Sequence, residues 1–277
     1  MHSVPRFIDL HLHTRYSDGS WTPVELCQAA ARLQLAAIAV TDHDTLDGIP
    51  EVLAAGQQFG VEVLPAVEIT GRIKTREVHL LGYFPGTTWQ NPELHAVLDH
   101  AKRVREKRVG AMVEQLNHLG IDLTVAEVFA GSTCGTVGRP HVALALRQRG
   151  VVKSVEEAFE RFLKSGKPGY VERYRMEAAE AIALIRRAGG VAVLAHPALS
   201  QADESIQNLA QQGLAGLEVW HCRHTPAQTA RYQALAERFN LLATGGSDCH
   251  GMVYGKALLG TVPVPYECLH AIQHRAP

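Results

Sequence analysis

Short apolar runs rich in β-branched residues alternate with stretches of helical periodicity over both flanks of the chain. The runs Phe7–Leu12, Ala36–Val40, Val61–Glu68 and Val78–Phe84 predict four strands, and Val191–Ala195, Leu217–Trp220 and Leu241–Thr244 predict three more. Helices are expected near Pro50–Phe59, Glu177–Ala188, Asp203–Gln212 and Ala227–Arg238. Another should start at Thr22-Pro23-Val24-Glu25, with Thr22 as N-cap, Pro23 in the first turn and Glu25 closing a capping box. Seven strands alternating with helices predict an α/β fold with a parallel sheet, closed into a barrel rather than left open. No GxGxxG follows the first strand, which speaks against a dinucleotide site.

The middle of the chain has a different period. Pro92–Leu119 reads as one long helix ended by Gly120, and helical spacing continues through Val125–Phe129, His141–Arg149 and Val155–Leu163. No strand pattern returns before about Tyr170. The expected division is therefore a barrel in two pieces, 1–98 and 177–277, around a helical substrate-binding insert, 99–176.

Composition narrows the class. Of 277 residues 46% are hydrophobic and 20% charged, which excludes a disordered chain. No apolar run approaches the roughly 20 residues a membrane span needs, and the first residues lack the apolar core of a signal peptide. The 5 cysteines are scattered without a CxxC pair, so a reducing cytoplasm is the expected location. Charge is uneven: Asp99–Met176 carries 14 Lys+Arg against 9 Asp+Glu, leaving 13 against 19 elsewhere. A basic segment attracts anions and an acidic body suits metal ions, although a solvated helical surface explains the charge as well.

The 15 histidines carry the chemistry. His11 and His13 end the first strand two residues apart, so they project from one face, a natural half of a metal site. The second strand ends in Thr41-Asp42-His43-Asp44, the third runs into Glu68, the fourth carries His79, and the fifth ends in Ala195-His196-Pro197. The last ends in Gly245-Gly246-Ser247-Asp248-Cys249-His250-Gly251, where Asp248 and His250 share a face and Cys249 takes the other. His or carboxylate groups at so many strand ends are poorly explained by chance. His221 and His224, after the sixth strand, are either substrate contacts or ordinary loop residues.

The strings DLHLHTRYSDG (9–19), TDHDT (41–45), AVEIT (66–70), EVHLLGYF (77–84), AHP (195–197) and GGSDCHG (245–251) together resemble the PHP (polymerase and histidinol phosphatase) superfamily. The resemblance spans the chain outside the middle segment and implies a distorted seven-stranded barrel with a trinuclear metal centre. It implies a first ion on His11, His13, Glu68 and Asp248, and a second on Glu68, His79 and His196. A third would take Asp18, His43 and His250. Imidazole and carboxylate donors suit Mn²⁺, with Fe²⁺, Zn²⁺ or Mg²⁺ as alternatives, at roughly two to three ions per chain. Asp9, Asp42 and Asp44 are expected to orient the histidines or cap backbone groups.

Within the superfamily, the YSDG string and the helical middle segment resemble nucleotide and RNA phosphoesterases. That implies hydrolysis of the 3′-phosphate of nucleoside 3′,5′-bisphosphates, with 5′→3′ exoribonuclease action on short RNA or histidinol-phosphate hydrolysis as alternatives. No membrane or obligate protein partner is expected. Arg139 and His141, in Gly138-Arg139-Pro140-His141, are the expected phosphate contacts, and Lys102, Arg103, Lys167 and Arg175 are further candidates. Tyr16 and Tyr170 stack on a base or simply pack.

Overall fold

The computed structural model of the chain describes residues 7–130, 137–172, 176–253 and 255–277. The chain divides into two compact units, Met1–Ala96 with Arg175–Pro277, and Val97–Tyr174. Nine strands occur among the described residues: β1 (Phe7–Leu12), β2 (Ala37–Val40), β3 (Glu62–Ile73), β4 (Arg76–Tyr83), β5 (Met176–Glu177), β6 (Val191–Leu194), β7 (Gly216–His221), β8 (Leu242–Gly246) and β9 (Val264–Pro265). Helices α1 (Pro23–Arg32) and α2 (Ile49–Phe59) follow β1 and β2. Between β4 and β5 lie α3 (Pro92–His118), α4 (Val125–Ala130), α5 (Arg139–Gln148) and α6 (Val155–Ala158). The rest are α7 (Ala178–Arg187), α8 (Pro197–Ser200), α9 (Ile206–Gln211), α10 (Pro226–Arg238) and α11 (Glu267–Arg275).

The strands hydrogen-bond in the order β8-β7-β6-β4-β3-β2-β1-β9, with β5 beside β3. All seven expected runs are strands, but the path passes through eight, so the expected count of seven is corrected. The additions, β5 and β9, have two residues each, too few to show an alternation in sequence. The expectation of a parallel sheet is also corrected. β1, β2 and β3 are parallel to one another, as are β6, β7 and β8, but β4 runs antiparallel to both β3 and β6. The cause is local: β3 runs on to Ile73 and β4 begins at Arg76, so only Lys74 and Thr75 turn the chain. A hairpin fits there and a crossover helix does not. Lys74 adopts φ 56°, the left-handed conformation of a tight turn.

The two ends of the path approach each other, giving a nearly closed barrel. Leu12 bridges to Cys249, and His13 N–H donates to the Cys249 carbonyl at 3.0 Å. Gly246 makes that seam possible, because a Cβ there would sit 2.4 Å from the backbone N of His11. β1 itself is irregular between Asp9 and Leu12. Ile8 and Leu10 pack with Ala37, Ala39 and Tyr83 on one face, whereas Leu12 packs with Leu26, Ile38 and Val40 on the other. The alternation therefore slips between Leu10 and Leu12, as a bulge does when it re-aims side chains beside a site. Tyr83, fully buried, donates its hydroxyl to the Leu10 carbonyl at 2.9 Å, a bond worth about 1 kcal/mol that pins the irregularity.

α1 begins as expected: Glu25 N–H donates to Thr22 Oγ1 at 3.1 Å, and Thr22 N–H donates to Glu25 Oε2 at 2.8 Å. In the second unit, α3 ends before Gly120, which takes φ 78°. Its apolar face buries Val109, Met112 and Leu116 against Val128, Leu146 and Phe162. This is a core of its own, as amphipathic helices require. Among the described residues, no helix is long and apolar enough to cross a membrane.

Candidate metal centre

Glu68, on β3, is the hub. It is 1% exposed, and five imidazoles surround its carboxylate. Oε2 lies 3.3 Å from His11 Nε2, 3.3 Å from His13 Nε2 and 3.1 Å from His43 Nδ1. Oε1 lies 2.8 Å from His79 Nδ1 and 3.1 Å from His196 Nε2. Two more carboxylates flank it. Asp248 Oδ1 is 3.2 Å from His13 Nε2 and 3.5 Å from His11 Nε2. Asp18 Oδ1 is 3.2 Å from His250 Nε2, and its Oδ2 is 3.7 Å from His43 Nε2. The structure thus brings His11, His13, Asp18, His43, Glu68, His79, His196, Asp248 and His250 into one cluster.

Backbone geometry aims these groups. His196 and Asp248 each lie two residues beyond a strand end, at φ 27° and 52°. Left-handed backbone at non-glycine residues is costly and is retained where it serves a site. Asp42 accepts from Thr14 N–H at 2.8 Å and Ser17 Oγ at 2.6 Å. Asp44 accepts from Thr70 N–H at 2.7 Å, and Asp9 from Ser247 N–H at 2.8 Å and Gly260 N–H at 3.0 Å. All three tie loops of the site together through backbone groups. Cys249 faces away, packed in the apolar cluster of Leu26 and Cys27.

The donor set fits divalent ions. His11 Nε2, His13 Nε2, His43 Nδ1 and Glu68 Oε2 are buried and make no hydrogen bond, although they lie close together. Buried polar atoms left unpaired are costly, and a shared cation satisfies their lone pairs at once. The subsets His11–His13–Glu68, His43–Glu68–His79 and His13–Asp18–His43–His250 each place ligand atoms within 4.8 Å of one another. No thiolate is among them, so the set suits a catalytic ion better than a structural zinc. The local field is strongly negative. Burial opposes charge on His13, yet Asp248, Glu68 and Asp18 outweigh it and raise its pKa to about 10. His79 is raised to about 9, against burial, mainly by Glu68. Burial likewise opposes ionisation of Glu68, but the surrounding imidazoles hold it well below the usual carboxylate range.

The sequence carries no spacing signal for Glu218, and it leaves His221 equally a substrate contact or a loop residue. Both sit on β7 at the centre's edge, Glu218 at 2.9 Å from His11 Nδ1 and His221 Nε2 at 3.4 Å from Asp248 Oδ2. They are three residues apart, a spacing that strict alternation assigns to opposite faces. The β7–β8 ladder is irregular between Glu218 and Trp220, which brings both to one side. His224 Nδ1–H donates to the Val219 carbonyl at 3.0 Å, and His224 is a loop residue.

Five of the six expected phosphate contacts, Lys102, Arg103, Arg139, His141 and Lys167, belong to the second unit. Lys102 and Arg103 lie on α3, Arg139 and His141 in the first turn of α5, and Lys167 in an exposed turn. The Arg139 guanidinium lies 5.8 Å from the centre of the Phe159 ring, and His141 Nδ1 accepts from Gly138 N–H at 3.2 Å. Arg175 lies outside the described residues. Tyr16 donates to Glu51 at 2.9 Å and Tyr170 to Glu172 at 3.1 Å.

Comparison with known proteins agrees with this geometry. The PHP domain matches residues 9–220. A 3′,5′-nucleoside bisphosphate phosphatase of Chromobacterium violaceum is 34% identical over 88% of this chain and 87% of its own length. A 5′-3′ exoribonuclease of Haemophilus influenzae is 32% identical over 87% and 89%. A phosphoribosyl 1,2-cyclic phosphate 1,2-diphosphodiesterase of Eggerthella lenta is 32% identical over 88% and 94%. A solved structure from Bifidobacterium adolescentis, assigned as a metal-dependent phosphoesterase, superposes with a TM-score of 0.86 at 32% identity, covering 99% of this chain and 98% of that one. A histidine-rich cluster at the strand ends of a nearly closed barrel, and likeness over almost the full length of each relative, place this chain in the PHP domain family, as a metal-binding hydrolase of phosphate esters.

Proposed function

We propose that this chain is a cytoplasmic phosphatase that removes the 3′-phosphate of nucleoside 3′,5′-bisphosphates, giving the nucleoside 5′-monophosphate and phosphate. The observation that carries the reading is the convergence of five imidazoles on Glu68, with Asp18 and Asp248 on either side. His11, His13, Glu68 and Asp248 would hold one ion, and Glu68, His79 and His196 a second. Asp18, His43 and His250 would hold a third, with Mn²⁺ the expected metal. Such ions activate water at neutral pH and neutralise charge on phosphoryl oxygens. The protein's own part is to hold the donors rigidly: Glu68 is fixed between Leu81 of β4 and the segment around His43 that follows β2, and the Asp42 and Asp9 carboxylates pin the loops that carry Asp18 and Asp248.

Likeness over nearly the whole chain to a bisphosphate phosphatase supports the substrate. The basic surplus of residues 99–176 supports an anionic substrate with a second phosphate. In this reading Arg139 and His141 bind that phosphate, helped by Lys102, Arg103, Lys167 and Arg175. The four described cysteines, Cys27, Cys222, Cys249 and Cys268, are free thiols, which suits a reducing compartment.

A second reading, 5′→3′ cleavage of short 5′-phosphorylated RNA, is favoured by the exoribonuclease relative. Both reactions break a bond between a 3′-oxygen and phosphorus near a 5′-phosphate. Initial rates with Mn²⁺ should be compared on adenosine 3′,5′-bisphosphate, a 5′-phosphorylated trinucleotide, a ribose 1,2-cyclic phosphate and histidinol phosphate. The bisphosphate should turn over fastest, with 5′-AMP as product. Faster cutting of the trinucleotide or the cyclic phosphate would displace the bisphosphate as substrate.

A further inference from the structure

Strand β7 supplies two buried side chains beyond the nine clustered above. Glu218 is fully buried and both its oxygens are engaged. Oε1 lies 2.9 Å from His11 Nδ1, and Oε2 accepts the backbone N–H of His196 at 2.7 Å. A carboxylate at Nδ1 keeps the proton on that nitrogen and leaves the Nε2 lone pair of His11 facing Glu68 and Asp248. The second bond holds His196 in its left-handed backbone conformation.

His221 is arranged the other way round. Its Nδ1 accepts the backbone N–H of Arg223 at 3.1 Å. An amide nitrogen only donates, so in the neutral ring the proton sits on Nε2. Nε2 is buried, makes no hydrogen bond, and lies 3.4 Å from Asp248 Oδ2. The other oxygen of Asp248 faces His11 and His13. His221 thus directs an N–H, not a lone pair, at the outer oxygen of Asp248.

His11, Glu218 and His221 are close enough to hold an ion of their own. The hydrogen-bond directions oppose it, because Nδ1 of His11 and Nε2 of His221 both carry protons in this arrangement. We propose, resting on the reading of the cluster as a metal centre, that Glu218 and His221 bind no ion and are positioning residues. Glu218 fixes which nitrogen of His11 ligates, and His221 fixes which oxygen of Asp248 does.

The test is a Mn²⁺ titration of the full chain, followed by the electron paramagnetic resonance of free Mn²⁺. Wild type is compared with Glu218→Gln, His221→Phe and His221→Gln, each checked for folding by circular dichroism. The variants should bind as many ions as wild type, with affinity weakened about 10–100-fold in Glu218→Gln and His221→Phe. His221→Gln, whose amide can still donate, should recover much of the loss. A variant that lacks one whole ion, or that binds Mn²⁺ as tightly as wild type, overturns the positioning role. Should Glu218→Gln not fold, the two His221 variants decide alone. Ring ¹⁵N shifts of the Zn²⁺-loaded protein provide an independent readout, with His11 protonated at Nδ1 and His221 at Nε2. The reverse tautomer at His221 in a protein that binds its ions overturns this proposal alone, whereas wild type that binds no ion overturns the metal-centre reading along with it.

Discussion

Replacing Glu68 with Gln lowers kcat/KM by on the order of 10³-fold or more, equivalent to about 4 kcal/mol of lost transition-state stabilisation. The substitution keeps shape and removes one charge at the point where five imidazoles meet. An amide oxygen is a poor ligand for a divalent ion beside a carboxylate, and an amide nitrogen would point N–H groups at lone pairs. Among the described residues, no other carboxylate lies against five of the clustered imidazoles, so this change should be among the most costly. Because Glu68 is buried and paired, the variant also loses stability, within the roughly 3–5 kcal/mol typical of breaking a buried charge pair. Steady-state kinetics beside a urea unfolding curve separates the two effects. A folded Glu68→Gln protein with activity within tenfold of wild type would remove Glu68 from the reaction.

Much of this cluster was legible in sequence for a simple reason. Strand alternation puts residues two apart on one face, so His11 with His13 and Asp248 with His250 declare themselves as pairs. Glu68 and His79 carry no such signature. Each is flanked directly by apolar residues, Val67 and Ile69 or Val78 and Leu80, and only their likeness to a family pattern marks them. Glu218 and His221 were hidden by the same rule that exposed the others, since an irregular ladder breaks the period that sequence reading relies on. The fold shows the same limit. The six- to eight-residue runs of β1 and β4 were plain, whereas two-residue β5 and β9 gave nothing to count. The antiparallel turn of β4 follows from Lys74 and Thr75 alone, and β3 reads as ending at Glu68 because Gly71 and Arg72 interrupt its apolar run. Lys102, Arg103 and Lys167 are legible only as charge, because exposed basic residues on helices and turns carry no spacing that distinguishes a phosphate site from a solvated face.

Removing metal has the second large effect. Dialysis against a chelator should abolish phosphate release, and added Mn²⁺ should restore it. The same step should lower the melting temperature. An ion present at 100 times its dissociation constant adds about 2.7 kcal/mol to the folded state, and for a domain of this size that is on the order of 5 °C. The sign follows from the site: an ion held by His11, His13, Glu68 and Asp248 would bind the folded chain and not the unfolded one, so removing it takes that binding energy from the folded state. Full activity with an unchanged melting temperature after chelation would contradict a metal requirement.

The most direct measurement is anomalous diffraction at the manganese absorption edge from crystals grown with Mn²⁺. Strong peaks should lie within about 2.3 Å of ligand atoms, one beside Glu68, His11 and His13 and another beside Glu68, His79 and His196. Peaks elsewhere, or none at Glu68 in protein that hydrolyses adenosine 3′,5′-bisphosphate, would contradict the assignment of this cluster as the metal centre.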